Sequence, residues 1–205
     1  MATRLMARPL TILDAIYGRR SVRSYTSTPL DRETIRALLD AAVQAPTAMH
    51  NEPWQFVVLQ DRGVLERLSD RVKRSLQHPP PPAGPARAPA DGASLHAAFA
   101  AGLATPAFNV FYGAPAVIVI GTTDPGPFVE ADCWLAADNL MLAAWGLGLG
   151  SCCIGAAVAT LNDSATQREL LLPSEFTAVA AIAVGTAAGE TPPASRQPPV
   201  ILAWR

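Results

Sequence analysis

Residues 116–121 read "AVIVIG", a short apolar, β-branched run closed by a glycine, the pattern of a strand buried on both faces. Working outward, "QFVVL" at 55–59 and "TAVAAIAVG" at 177–185 repeat that pattern. Between and around them, apolar residues recur at helical spacing over 64–76, 95–103 and 133–145. Strands alternating with helices predict an α/β or α+β chain. Two helices near the start are also written locally. Thr11 can cap a helix whose Ile12, Leu13 and Ile16 share a face and which Gly18 ends. Asp31 caps a second, with Leu30 and Ile35 as a hydrophobic staple, Leu38, Leu39, Ala42 and Val43 at helical spacing, and Pro46 as the stop.

Composition narrows the function. The chain has 205 residues and a formal net charge of −1, so it can bury a sizeable core and shows no charge balance suited to nucleic acid or an anionic membrane surface. The long, nearly uncharged run over 134–159 carries Ala, Gly, Asp and Asn and reads as a buried helix plus a turn, not a bilayer span. "MATRLMARPL" has basic residues but no apolar h-region, so a cytoplasmic protein is expected. Cys133, Cys152 and Cys153 fit no zinc spacing, and an odd count of thiols suits a reducing compartment. His50, His78 and His96 have no neighbouring ligands in sequence, so no metal site is expected. Of these, His50 reads as a hydrogen-bonded structural histidine. No Gly-x-Ser-x-Gly elbow is present, which leaves nucleophilic hydrolysis unmotivated.

Several segments carry candidate chemistry. "RRSVRSY" at 19–25 packs Arg19, Arg20 and Arg23 around Ser21 directly after the first helix. Guanidinium donors and a hydroxyl can bracket a phosphate monoester; equally, a basic turn can complement the carbonyl end of the preceding helix. "GLGLGSCCIGA" at 146–156 fails as a dinucleotide fingerprint, because its third position is Cys153 and it follows a helix instead of a strand. Its glycines suit a helix end and an extended turn that a flat ligand can approach. "APTAMHNEPWQF" at 45–56 leads from a helix into a strand, with Trp54 as core. "QHPPPPAGPARAPADGAS" at 77–94 is a Pro-rich loop excursion. "PPASRQPPV" isolates Arg196 near the end.

Taken in order, "RRSVRSYTSTPL", "APTAMHNEPWQFVV", "FNVFYGAPAVIVIG", "AADNLMLAAWGLGLGSCCIG" and "VGTAAGETPPASRQPP" resemble successive pieces of the nitroreductase family of FMN-dependent oxidoreductases. The resemblance spans nearly the whole chain. It implies one α+β FMN-binding domain over 1–205, with a central, mostly antiparallel sheet flanked by helices, in an intertwined homodimer. By the same resemblance Arg19, Ser21 and Arg196 bind the flavin phosphate and Arg20 reaches the ribityl or phosphate region. Arg23 matches the cation near N1 and O2 of the flavin, where negative charge develops on reduction. Amides around Ile154 and Gly155 face N5 and O4, while Pro46, Thr47, Ala48 and His50 contact the partner's flavin. His50 stands where the family usually has Asn, Glu52 where Gln is commoner, and Ala194 where some members carry a second basic residue. Phe108, Phe111, Tyr112 and Trp134 are candidates for the surface over the ring. The implied activity is transfer of electrons from NAD(P)H to nitroaromatics, quinones or activated alkenes by a ping-pong cycle. A flavin-consuming or dehalogenating relative, or a non-catalytic flavin-binding module, would use the same binding residues.

Overall fold

The computed structural model describes residues 11–77 and 99–205. Most of the Pro-rich excursion at 77–94, the segment "MATRLMARPL", His78, His96 and the start of the 95–103 pattern lie outside the described residues.

Helix α1 (Ile12–Gly18) begins on a capping box: Asp14 N donates to Thr11 Oγ1 at 3.1 Å, and Thr11 N donates back to Asp14 Oδ2 at 2.8 Å. Helix α2 (Arg32–Ala42) begins on Asp31, whose Oδ1 accepts from Thr34 N at 2.7 Å; that amide holds the Asp31 carboxyl below its usual range. Leu30 and Ile35 are both buried beside the helix start, as the staple requires. After β1 (Gln55–Leu59) come α3 (Arg62–Gln77), a helical stretch at 99–103, and β2 (Ala116–Thr122). Then follow α4 (Val129–Gly146), β3 (Gly150–Cys153), the short helices α5 (Val158–Leu161) and α6 (Ser164–Glu169), and β4 (Thr177–Gly185).

The strands form one four-stranded sheet in the order β1-β2-β4-β3, and every neighbouring pair is antiparallel. Because side chains alternate across a strand, the sheet feeds two cores. Ile118, Ile120, Ile182 and Val184 pack against α2 and α4, with Trp54 buried among them. Val117, Val119, Ala181 and Ala183 face α3 and α5 on the other side. The sheet is therefore the middle of three layers, which is the α+β arrangement expected.

One local expectation is revised. The turn read into "GLGLGSCCIGA" contains strand β3, which pairs Cys152 with Ala183. Four residues with no apolar alternation carry no strand signal of their own; the ladder to β4 makes them one. Residues 196–205, which include the apolar "VILAWR", have no strand within this chain and lie exposed.

Candidate functional site

The site is assembled where α1 ends. Gly18 lets the helix close directly on the Trp145 ring of α4, a contact that a Cβ at that position would obstruct. The chain then crosses the free edge of β3. Ser21 forms a parallel bridge with Ser151, and Val22 N donates to Ser151 O at 3.0 Å. Gly150 permits this close crossing, since a Cβ there would stand 2.6 Å from Val22 Cγ2. Further along, Thr26 N donates to Thr186 O and Ala188 N to Ser24 O, each at 2.9 Å, which ties the segment to the chain leaving β4.

A cleft of about 400 Å³ opens between these strands of chain, walled by Arg19, Arg20, Trp145, Gly148, Ser151 and Thr191. Its volume suits a small organic ligand. Arg20 Nη1 donates to Tyr17 O at 2.6 Å and Arg19 O at 2.9 Å, so this guanidinium serves the carbonyl end of α1. Arg19 is half-buried and forms no ion pair with a carboxylate among the described residues. Ser151 is 2% exposed, and its Oγ has no hydrogen-bond partner among the described residues. Buried hydroxyls are nearly always partnered, so an orphan beside an uncompensated cation marks a place for an anionic or oxygen-rich ligand. The amides of Leu147, Gly148 and Leu149 are already taken by helix-end carbonyls, which leaves side chains to hold such a ligand.

A second cluster lies beside the first. Arg23 is exposed, and its charge acts on Tyr25, Tyr112 and Cys152. Burial pushes the Cys152 thiol up, against the pull of Arg23, Arg19 and the Ser21 hydroxyl within hydrogen-bonding reach. Burial likewise raises Tyr112, with Cys152 adding to it and Arg23 opposing it by charge and hydrogen bonding. Tyr25, raised far above the ordinary phenol range by burial, donates to Val22 O at 2.8 Å and Ala183 O at 3.3 Å. Phe108 meets Tyr112 edge-on at 5.8 Å and Phe99 at 5.9 Å, making an aromatic row over this cluster.

A third element is the segment before β1. Ala48 N donates to Asp132 Oδ1 at 3.2 Å, which tethers it to the buried Asp132 of α4. Met49, His50 and Glu52 all take positive φ, at 56°, 52° and 44°. Such a concentration of left-handed, non-glycine residues is characteristic of functional segments.

Arg19 and Arg20 are thus brought together, but several expected residues stand elsewhere. Ser21 pairs with Ser151 at the β3 edge and does not line the cleft. Arg196 lies exposed on the C-terminal segment, away from the cleft wall. Ile154 is buried, and its amide donates to Ala181 O at 2.7 Å, so that amide is committed to the sheet; Gly155 beside it is exposed. Phe111 is 1% exposed and belongs to the core, which removes it from any ligand surface. Its apolar ring is better buried than the phenol next to it. His50 is exposed and makes no hydrogen bond among the described residues, because the left-handed turn carries it to the surface. Trp134 is partly exposed on α4. Ser151 and Asp132 were not anticipated. Both act through partners distant in sequence, and only a serine set among the glycines of "GLGLGSCC" could have drawn notice.

Among the described residues no group of His, Cys, Asp and Glu is arranged to hold a metal, all three cysteines are free, and no helix is long and apolar enough to cross a membrane. The Cys133 thiol is pushed up to about 11, by burial first and then by Asp132 and Glu130.

Comparison with known proteins bears on the whole arrangement. The model of the nitroreductase family matches residues 16–186. A relative from Archaeoglobus fulgidus, named as a candidate NADH dehydrogenase/NAD(P)H nitroreductase, is 28% identical over 178 residues, covering 84% of this chain and 83% of its own. A nitroreductase with bound FMN from Bacteroides fragilis superposes with a TM-score of 0.77 at 23% identity, covering 96% of this chain and 100% of that one. An FMN-dependent nitroreductase from Clostridium difficile gives 0.72 at 23% identity, covering 97% and 100%. These two structures share the fold described above.

Proposed function

The chain belongs to the nitroreductase family, and from that premise we propose that it is an FMN-dependent oxidoreductase that draws electrons from NAD(P)H. Its acceptor is a small electron-poor molecule, a nitroaromatic, quinone or activated alkene, which enters after the oxidised donor has left. The observation that carries the reading is the pairing, in one cleft, of a half-buried Arg19 lacking a carboxylate with a buried Ser151 hydroxyl lacking a partner. When bound, the flavin supplies acceptance and donation of hydride at N5.

The chain's own residues do the holding. Arg19 would meet the 5′-phosphate with its fixed fork of donors; Ser21 and Arg196, which do not line the cleft in this chain, are proposed as further phosphate contacts. Arg20 keeps the end of α1 neutralised beneath them. Arg23 would supply a cation to stabilise the negative charge that develops on the reduced ring, and the exposed Gly155 would leave backbone open beside it. Phe108, Tyr112 and Trp134 border the space for the acceptor. No side chain is needed as acid or base, since solvent can deliver the proton.

We place the working enzyme in the cytoplasm, where its free thiols stay reduced, and as a homodimer. Ile12, Leu13, Ile16 and Tyr17 form an apolar face of α1 that is more than half exposed, and Val200, Ile201, Leu202 and Trp204 are exposed likewise at the C-terminus. Apolar surface of that extent is characteristic of an interface. The tethered segment Pro46, Thr47, Ala48 and His50 would then complete the partner's flavin site. The test is the absorption spectrum of the purified protein with its response to NADH and NADPH. One flavin per chain, bleached by either donor and recovered on adding a nitroaromatic, is expected; a protein that takes up no FMN overturns the reading.

A further inference from the structure

Between α2 and β1 the chain crosses the surface from Pro46 to Glu52, fixed at both ends and strained in between. Ala45 and Trp54, which flank it, are buried in the core shared with α2 and α4. Of the positive-φ non-glycine residues, Met49, His50 and Glu52 all stand here. Such backbone persists where its surroundings over-determine it. Anchored ends alone do not achieve that, because none of residues 46–52 is buried.

The middle of the segment is held from α4. Ala48 N, the first amide of the turn Ala48–His50, donates to Asp132 Oδ1 at 3.2 Å, and Asn51 N closes the turn on Ala48 O at 3.2 Å. Among the described residues no other hydrogen bond joins 46–52 to another element. Asp132 is 4% exposed, and burying a carboxylate is costly unless it is bonded. Its place in the first turn of α4, where the helix dipole favours negative charge, offsets part of that cost. Its neighbours on the buried side of that helix, Val129, Cys133 and Ala136, are apolar. An apolar side chain would fill this position more cheaply, so what the carboxylate adds is the bond to Ala48.

We propose that Asp132 is a positioning residue: it holds Ala48, and through it the left-handed segment 46–52, in the shape presented to the flavin of a second copy of the chain. This rests on the FMN and homodimer reading above. Asp132 thereby serves the partner's site and not the cleft of its own chain.

The first test is amide hydrogen exchange on the protein as purified. Losing a hydrogen bond to a charged group shifts an opening equilibrium by about tenfold or more, so the Ala48 amide should exchange faster by that factor in Asp132→Ala. Asn51 should follow, while the amides of β2, which report general loosening, should change less. Asp132→Asn keeps the shape and an acceptor oxygen and should restore most of the protection. Its neutral bond is weaker, so a residual acceleration of about threefold carries the test if Asp132→Ala does not fold. An Ala48 rate that is unchanged in Asp132→Ala, or in Asp132→Asn where only that variant folds, overturns the proposal. So does an acceleration no greater than that of β2.

The second test titrates FMN into mixed dimers that pair an Arg19→Ala chain with a chain carrying the folded Asp132 variant. Each variant alone should bind FMN more weakly than the parent. In the mixed dimer one site keeps its own Arg19 and receives segment 46–52 from the chain whose Asp132 is intact, so one tight site per dimer should return. Failure of that site to return overturns the proposal, since a role confined to its own chain damages both sites. Parental affinity in the Asp132 variant alone overturns it too. A parent that binds no FMN or stays monomeric defeats the functional reading instead, and exchange at Ala48 then decides the Asp132 contact by itself.

Discussion

Ser151→Ala should act with opposite signs on the empty and the loaded protein. Ser151 is 2% exposed, its Oγ has no partner among the described residues, and its backbone is fixed by pairing with Val184. An unsatisfied buried hydroxyl costs about 1–3 kcal/mol. Alanine keeps the strand pairing and deletes one atom, so part of that cost returns as a small void. The net should be a gain of about 1 kcal/mol for flavin-free protein, which for a chain of this size raises Tm by about 2–4 °C. In the loaded protein the same hydroxyl has found its partner, and losing a hydrogen bond to a charged group costs about 1.5–3 kcal/mol. The FMN Kd should therefore rise about 10- to 100-fold. Thermal unfolding of flavin-stripped protein and calorimetric titration with FMN read the two effects separately. A lower Tm in the flavin-stripped variant, or an unchanged FMN affinity, would refute the reasoning, because a serine with a purely structural role cannot give both signs.

Gly150→Ala forces a Cβ to within 2.6 Å of Val22 Cγ2, so it should lower stability by about 1–3 kcal/mol in denaturant unfolding and loosen the segment that carries Arg19. Glu169 bridges Arg67 at 3.0 Å and Arg71 at 2.6 Å, and Arg71 also donates to Thr166 Oγ1 at 2.7 Å; Arg71→Ala should cost about 0.5–1 kcal/mol. The hydrogen bond from Arg67 and then Arg71 holds the Glu169 carboxyl below its usual range against desolvation. A depressed carboxyl contributes stability above its unfolded value and loses it as pH falls through the folded one. The gap between parent and Arg71→Ala in thermal unfolding should accordingly close in acid and persist at neutral pH. Leu13→Glu with Ile16→Glu, on the exposed apolar face of α1, should turn a dimer into a monomer by light scattering; an unaltered mass would show that α1 is not at the interface.

The parts of the fold legible in sequence are those whose cause is local. Thr11 with Asp14, and Asp31 with Thr34, make their caps within a single turn. The β-branched run of β2 declares a strand wherever it is placed. By contrast β3 depends on β4 and on the crossing at Val22, neither of which "GSCC" encodes by pattern. The site divides in the same way. The arginines at 19–23 are conspicuous; Arg20 serves the helix end, as a basic turn would, while Arg19 lines the cleft. Burial decided the aromatics: Phe111 and Tyr112 are adjacent, yet one is core and the other packs edge-on against Phe108. That the Ile154 amide is committed to Ala181, and that Ser151 has no partner, follow from contacts between elements far apart in sequence.

We propose that Arg19 anchors the phosphate of FMN. The most direct test of this compares FMN with riboflavin, which has the same ring and ribityl chain but no phosphate, in titrations of flavin-stripped protein. Each charge-assisted contact contributes about 1.5–3 kcal/mol, so the parent should prefer FMN by about 100-fold or more, and Arg19→Ala should erase most of that preference while leaving riboflavin affinity unchanged. Equal binding of FMN and riboflavin by the parent, or an undiminished preference in Arg19→Ala, would contradict it.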